Sequence, residues 1–196
     1  MRVATLEPEY FPPAQYFVPF LGADEIHLRT GARYRRQTLH NRTRLRNADG
    51  WQWITVPVGH GQFGRTLSHI CVQGDPGWRT RHAKALRYNY ESAPFYMYYA
   101  PRFHSFWARE WDFLVDATVA SVSLLAELLG MDCEVVAEGS ESPADALPTA
   151  DPVTYKGLDV PYAQNFQGFL PGMSAIDLLM NHGPQARAVI EQYPGP

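Results

Sequence analysis

The feature that most constrains this fold is a stripe of apolar residues that repeats at helical spacing in the middle of the chain. The stripe consists of Trp107, Trp111, Leu114, Val115, Val119, Val122, Leu125 and Leu129. Side chains three or four positions apart lie on one face of a helix, and Gly130 follows where a glycine commonly ends one. The spacing therefore predicts one long helix over 107–129 whose apolar face packs against a core.

The rest of the pattern alternates between short β-forming runs and helical segments. The predicted strands cover 2–6, 25–28, 51–58 and 67–72. Helices are predicted over 78–90 and over 174–180, where Ser174 is a capping residue. This alternation favours an α/β fold with a small sheet flanked by helices and a helical C-terminal part. The order of elements is compatible with a Rossmann-like nucleotide-binding half.

Length and composition indicate a globular protein. A chain of 196 residues has the size of one domain, and we predict a single domain over 1–196. Hydrophobic residues make up 45% of the chain and charged residues 19%, which excludes a disordered or fibrous protein. Residues 138–161 are rich in Pro, Ser, Asp and Ala and are predicted to form an irregular segment.

Cysteine content and apolar runs indicate the compartment. Two cysteines, Cys71 and Cys133, are too few for a disulfide framework or a zinc site. No apolar run reaches the roughly 20 residues that cross a bilayer, and the first residues lack the apolar stretch of a signal peptide. We therefore expect a cytoplasmic protein that has no membrane partner.

The basic residues are unevenly distributed. Residues 1–110 contain 15 Lys and Arg against 8 Asp and Glu, whereas residues 111–196 contain 2 against 12. Seven arginines lie between Arg29 and Arg46, and no acid lies among them. Since the guanidinium fork suits phosphate and carboxylate, we predict a pocket wall for an anionic ligand such as a nucleotide-sugar diphosphate. The alternative is a loop whose arginines pair with surface acids.

Several cofactor and nucleic-acid motifs are absent or out of place. Residues 59–64 spell G-x-G-x-x-G, but the residues that follow are strand-like and provide no helix N-terminus for a pyrophosphate. The sequence contains no P-loop, no nucleophile elbow and no closely spaced histidine pair. The slightly acidic chain also has no recognition motif for nucleic acid. We expect no cofactor, no metal and no nucleic-acid partner.

Three side chains are candidates for proton transfer. His82 lies on the helix after the basic segment, and His40 lies within that segment. Asp177 is placed to orient a base or a substrate hydroxyl. The structural alternatives are a core histidine packed beside Trp78, a solvated loop histidine and a carboxylate that stabilises the first turn of a helix.

A second group of residues is predicted to bind substrate. Glu7 follows the first strand, where open α/β sheets usually place ligand groups. The arginines suit charge neutralisation, and the amide and phenol groups suit recognition of a sugar or a base edge. The predicted binding residues are Glu7, Arg36, Asn41, Arg42, Arg44, Trp78, Tyr162 and Gln164. The structural alternatives are a loop acid paired with one of the arginines for Glu7, and a plain packing role for Tyr162 and Gln164.

Ordered motifs in this chain resemble those of the WbqC-like family. The matching segments are Glu7–Pro12, Tyr34–Arg44, Trp53–Val58, Trp78–His82, Ala93–Phe95, Tyr162–Gln164 and Phe169–Gly183. These short motifs occur in order and are spread over about four-fifths of the chain. Two features differ from the family pattern, since Glu7 replaces the usual Gln and the segment 131–161 is short and loop-like. The chain therefore resembles a shortened variant, in which activity is altered or lost if the missing part covers the ligand.

The resemblance implies a role in surface-polysaccharide or modified-sugar biosynthesis. The leading hypothesis is a transferase-type enzyme that acts on an activated, nucleotide-linked sugar or amino sugar, with a small-molecule substrate as its partner. Two alternatives are a non-catalytic module that binds a nucleotide sugar or metabolite, and a structural subunit of a homo-oligomer that buries the aromatic segment 95–106.

Overall fold

A computed structural model describes residues 1–75, 77–139 and 159–194. The strands are β1 (Val3–Leu6), β2 (Glu25–Arg29), β3 (Arg42–Asn47), β4 (Gly50–Thr55) and β5 (Glu134–Glu138). The α-helices are α1 (Trp78–Tyr90), α2 (Tyr96–Ala108), α3 (Leu114–Leu128), α4 (Ala175–His182) and α5 (Ala186–Ile190). This mixture of a small sheet, a strand pair and helices confirms the predicted α/β class, while the likeness to a Rossmann half stays a prediction.

The central sheet is parallel and has the strand order β1-β2-β5. Ile26 of β2 pairs with Ala4 on one side and Val135 on the other, and these apolar side chains pack into or against the core. A 3-10 helix over Ala14–Leu21 connects β1 to β2. The parallel arrangement gathers the carboxyl ends of all three strands at one edge.

β3 and β4 form an antiparallel hairpin outside the parallel sheet. Alternation along β3 buries Thr43 and Leu45 and leaves Arg42 and Arg44 partly exposed on the other face. The strand predicted over 51–58 is present but ends at Thr55. β3 itself was not predicted, because its alternating arginines carry little of the usual β-forming composition.

The single helix predicted over 107–129 is wrong, since α2 ends at Ala108 and α3 begins at Leu114. The segment between them runs extended beside residues 70–72. The Val72 amide donates to the Asp112 carbonyl at 2.8 Å, and the Leu114 amide donates to the Ile70 carbonyl at 2.8 Å. Trp107 and Trp111 are both buried. The apolar pattern therefore continues across the break between α2 and α3, and the spacing of apolar residues gives no sign of that break.

Two further sequence predictions need correction. Residues 67–72 are not a strand, because Leu67–His69 form a 3-10 helix and only isolated bridges pair Cys71 with Phe113 and Val72 with Val58. Part of the segment predicted to be loop-like is β5, which completes the parallel sheet. Residues 140–158, the larger part of the predicted irregular segment 138–161, lie outside the described residues.

Phe11 joins the sheet to the other layers of the fold. Its backbone has a φ of 44°, a left-handed conformation that is uncommon for a bulky residue. The Phe11 amide donates to Ser121 Oγ of α3 at 3.0 Å. Its carbonyl accepts from Thr43 Oγ1 of β3 and from Ser174 Oγ, each at 2.8 Å. Ser174 also accepts from the Ile176 amide as the N-cap of α4, which confirms the predicted helix start.

Candidate functional site

The strongest cluster of polar groups lies at the carboxyl edge of the parallel sheet. Glu7 follows β1, and Arg29 is the last residue of β2. Open α/β sheets present their ligand groups at this edge, because the strand ends and the connecting loops form a crevice there. The sequence placed Glu7 at this edge, and the structure adds the partners that surround it.

The Glu7 carboxylate has three cationic or donor partners. Arg35 Nη2 lies 2.5 Å from Oε2, Arg29 Nη2 lies 3.3 Å from Oε1, and His40 Nε2 lies 3.1 Å from Oε2. Burial would raise the pKa of this carboxyl, but the hydrogen bonds from His40 and Arg35 lower it below its usual value. Glu7 is therefore an anion shared by two guanidinium groups.

The contacts of His40 define its tautomer. Its Nδ1 lies 3.2 Å from the Arg35 backbone nitrogen, which can only donate, so Nδ1 is the acceptor. Nε2 then carries the proton and donates it to the Glu7 carboxylate. The ring is 1% exposed and lies beside Tyr34, with 6.1 Å between ring centroids. His40 holds Glu7 and Arg35 in place, and both of its nitrogens are engaged.

Glu9 is the unusual carboxyl of this region. Its Oε2 is buried and has no hydrogen-bond partner among the described residues. Burial and the nearby Glu7 charge raise its pKa to about 8, against an opposing effect of Arg35. A carboxyl with this pKa gains and loses its proton near neutral pH, which is the property that a general acid or base needs.

Arg42 and Arg44 lie on the outer face of the hairpin rather than beside Glu7. The Arg42 guanidinium stacks 4.0 Å from the Trp53 ring centroid, and Arg44 lies 5.5 Å from the Trp51 ring and 5.7 Å from the Trp53 ring. Burial and the neighbouring Arg42 lower the pKa of Arg44, and Asp159 opposes this change. The predicted arginine wall is therefore divided between two adjoining places.

His82 lies inside the aromatic core. Its Nδ1 is 3.0 Å from the Tyr10 hydroxyl, and its Nε2 is 3.2 Å from the Thr55 carbonyl oxygen. Trp107 Nε1 donates to the same Tyr10 hydroxyl at 2.8 Å, and the Trp78 ring packs against the imidazole at 5.0 Å. Burial lowers the pKa of His82 to about 3. These contacts match the alternative of a core histidine packed beside Trp78, and the burial keeps the ring neutral.

Asp177 forms a separate buried cluster with two tyrosines. Tyr90 donates to Oδ1 at 2.9 Å and Tyr162 donates to Oδ2 at 2.8 Å. Burial raises the pKa of Asp177 to about 6, although these hydrogen bonds and Arg46 lower it in part. Gln164 exchanges two hydrogen bonds with the backbone of Leu170 and so closes the loop that carries Tyr162. The cluster joins α1, α4 and the loop before α4.

The remaining predicted binding residues are dispersed. Asn41 is buried, and its side chain donates to the Val56 carbonyl at 2.9 Å. Trp78 is 4% exposed and packs on His82. Arg36 is exposed, and its charge lowers the pKa of the Tyr34 hydroxyl, although the larger effect of burial raises that pKa. Among the predicted site residues, only Glu7 and His40 therefore meet at the sheet edge.

Five residues that the structure brings forward are absent from the predicted site residues, although two of them, Arg29 and Arg35, belong to the predicted arginine wall. These are Glu9, Arg29, Arg35, Trp51 and Trp53. Glu9 carries a signal in the sequence, because it is an acid two positions after Glu7 in a run of proline and aromatic residues. The two tryptophans alternate along a strand, a spacing that places both side chains on one face.

The part of the chain that the structure describes contains neither a metal-binding cluster nor a membrane-spanning helix. Among residues 1–75, 77–139 and 159–194, no three His, Cys, Asp or Glu side chains are grouped to hold a metal ion. The helices of these same ranges are all too short or too polar to cross a bilayer.

Comparisons with known proteins agree with the motif pattern. The profile of the WbqC-like protein family matches residues 7–146 and 152–189, which confirms the resemblance seen in the sequence. An uncharacterized protein of Mycobacterium tuberculosis is 32% identical over 93 residues, which are 47% of this chain and 40% of that relative. The chain thus spans less than half the length of this relative. No solved structure matches the chain.

Proposed function

Because this chain belongs to the WbqC-like protein family, we propose that it is a transferase-type enzyme acting on an activated, nucleotide-linked sugar or amino sugar. The proposed setting is surface-polysaccharide or modified-sugar biosynthesis. The observation that carries the proposal is Glu9, whose buried Oε2 has no hydrogen-bond partner among the described residues and whose pKa is about 8, beside the ionised Glu7 at the carboxyl edge of the sheet.

Glu9 is the proposed proton carrier. Acyl transfer to a sugar amine needs that amine to be neutral, so a positioned base has a defined task. As the amine nitrogen bonds to the acyl carbon, its proton passes to the Glu9 carboxylate. The bond between the acyl carbon and the leaving group of an acyl thioester donor then breaks, and Glu9 returns the proton to that leaving group. A carboxyl that titrates near pH 8 serves both halves of this exchange.

Glu7, Arg29, Arg35 and His40 have supporting roles in the proposal. The guanidinium groups of Arg29 and Arg35 both contact Glu7, and we assign these two cations to the attraction of an anionic substrate. Glu7 also raises the pKa of Glu9 by its own charge. His40 is a positioning residue, because it holds Glu7 and Arg35 through its two ring nitrogens. We assign His82 and Asp177 to the stability of the fold.

A non-catalytic binding module is the second candidate. It is favoured by the partly exposed pair Arg42 and Arg44, which presents positive charge and aromatic surface without an acid or base between them. Such a module binds a nucleotide-linked metabolite with no turnover. The two candidates share a ligand and differ in the role of Glu9.

The test compares turnover with binding in a charge-neutral variant. Thermal shifts identify which uridine- or thymidine-diphosphate amino sugars bind, and mass spectrometry then follows acyl transfer from acetyl thioester. We expect Glu9→Gln to keep the thermal shift and to lose about 100-fold or more in rate. Glu110→Gln makes the same chemical change at a carboxyl that is 89% exposed, and we expect it to match wild type.

The outcomes separate the candidates. Loss of turnover in Glu9→Gln alone supports the transferase. Binding without any turnover of the wild-type protein supports the binding module. Wild-type rates in Glu9→Gln, or no thermal shift with any of the nucleotide sugars, overturn the proposed function.

A further inference from the structure

The outer face of the β3–β4 hairpin combines tryptophans and arginines. The register places Arg44 directly opposite Trp53, with Trp51 two positions along the same strand. Trp51 is 43% exposed and Trp53 is 37% exposed, and their rings meet edge to face at a centroid distance of 5.3 Å. Arg42 covers one face of Trp53. Of the two indoles, Trp51 is the more open to solvent.

The charge on this face is not neutralised by near carboxylates. Within the ranges that the structure describes, no Asp or Glu oxygen lies within 4.0 Å of the Arg42 or Arg44 guanidinium, whereas Arg29 and Arg35 both contact Glu7. Arg42 Nε and Arg44 Nε are buried, and neither has a hydrogen-bond partner among these residues. Asp159 acts on Arg44 from farther away, and its Oδ1 accepts from the Gly172 amide at 3.3 Å. Two partly desolvated cations therefore lie side by side and repel each other.

Backbone contacts fix Arg44 in this position. The Ser174 amide donates to the Arg44 carbonyl at 2.9 Å, which ties β3 to the start of α4. Gly172 has a φ of 67°, and a Cβ built there would lie 2.1 Å from Arg44 Nη2. The glycine leaves the space that the guanidinium occupies. The position of Arg44 is thus fixed by residues 172–174, a segment that is distant from β3 in the sequence.

We propose that this face binds the nucleoside diphosphate portion of the substrate, with the diphosphate on Arg42 and Arg44 and the base against Trp51. Guanidinium groups bind phosphate oxygens through paired, charge-assisted hydrogen bonds, and two adjacent guanidiniums match two adjacent phosphates. An open indole stacks on a base of any identity. Trp53 holds the Arg42 side chain in place by stacking.

This inference rests on the proposed function, because it assigns a place on the molecule to the nucleotide of a nucleotide-linked sugar. The hairpin face adjoins the sheet edge in sequence and in space. Arg42 follows His40 by two residues and lies near Tyr34, whose ring packs beside His40. A ligand that spans both places has its diphosphate on the hairpin and its sugar toward Glu9.

Isothermal titration of the full chain with three probes tests the inference. We expect uridine diphosphate to bind more tightly than inorganic pyrophosphate, and pyrophosphate more tightly than inorganic phosphate. The double replacement Arg42→Gln and Arg44→Gln is expected to lower the affinity for uridine diphosphate and for pyrophosphate at least tenfold. Trp51→Leu is expected to lower the affinity for uridine diphosphate about tenfold, the effect of one lost base stack. The affinity for pyrophosphate is expected to stay unchanged, because pyrophosphate has no base. Arg102→Gln, at an exposed pair with Glu127, is the matched control.

The outcomes distinguish a failure of the diphosphate subsite from a failure of the transferase reaction. Unchanged diphosphate affinity in the double arginine variant overturns it, as does tighter binding of a single-stranded RNA oligomer than of uridine diphosphate. If uridine diphosphate binds as expected but the protein shows no Glu9-dependent turnover, the subsite stands and the transferase fails. If turnover depends on Glu9 but the double arginine variant keeps the wild-type KM, the transferase stands and the subsite fails.

Discussion

Replacement of His82 by phenylalanine tests whether this histidine is a structural residue. In the native protein the ring is neutral, 3% exposed, and hydrogen-bonded to the Tyr10 hydroxyl and the Thr55 carbonyl. A phenyl ring fills the space of the imidazole, but it cannot form the hydrogen bonds with the Tyr10 hydroxyl and the Thr55 carbonyl. A buried polar group without a partner costs about 1–3 kcal/mol, so we expect a loss of roughly 3 kcal/mol at pH 7.5.

The same variant has a defined pH dependence. Burial lowers the pKa of His82 from 6.5 to about 3, so between these values the unfolded chain binds a proton that the folded protein does not. The stability that the neutral ring contributes is fully present above pH 6.5 and is lost as the pH falls toward 3. At about 1.4 kcal/mol per pH unit, wild type loses about 3 kcal/mol through this group between pH 6.5 and pH 4. The difference between wild type and His82→Phe is therefore expected to close over that interval.

Urea unfolding of both proteins at several pH values between 7.5 and 4 measures this difference. Groups that titrate in both proteins cancel when the two free energies of unfolding are subtracted. A difference that stays constant from pH 7.5 to pH 4 would falsify the structural assignment. So would a fully stable His82→Phe protein that binds nucleotide sugar but has lost turnover, because that is the behaviour of a catalytic base.

Three further changes have expected outcomes. Tyr90→Phe removes a buried hydroxyl that accepts from the Arg46 amide at 3.0 Å and donates to Asp177, and we expect urea unfolding to show a loss of about 1–3 kcal/mol. Glu7→Gln removes the charge that raises the pKa of Glu9, so carbon NMR of the Glu9 carboxyl is expected to report a pKa below about 8. Gly183→Ala places a Cβ 2.4 Å from the Phe95 ring at a φ of 54°, and we expect a loss of about 2 kcal/mol or more from clash and backbone strain, measured as a lower thermal midpoint.

Matched controls make two of these results specific. Tyr88→Phe makes the Tyr90 change at a side chain that is 91% exposed, so it is expected to leave stability unchanged. Gly130→Ala has a similar φ of 68° but open space around its Cβ, so its cost is expected to be the backbone strain alone. Equal losses in Gly183→Ala and Gly130→Ala contradict the proposed clash. An unchanged pKa of Glu9 in Glu7→Gln contradicts the coupling of the two carboxyls.

Local patterns were sufficient for the elements that depend on near neighbours. The bounds predicted for α1 agree with the structure, and the predicted cap Ser174 begins α4. The position of Glu7 at the end of the first strand also followed from the sequence. These features depend on side-chain periodicity and on hydrogen bonds within a few residues, and both are visible in the order of amino acids.

Long-range pairing decided what the sequence missed. The apolar stripe continues through Trp107 and Trp111, yet the helix breaks because residues 109–113 pair with a segment about 40 positions earlier. β5 exists as a strand because β2 lies beside it. The candidate site likewise combines residues that the sequence indicates with properties that only the fold creates. The sequence selected His40 for its imidazole, but only the fold brings its Nε2 to Glu7, 33 positions earlier, and desolvates Glu9 beside Glu7. The acid–base character of a carboxyl depends on desolvation and neighbouring charge, and these properties arise only when distant parts of the chain meet.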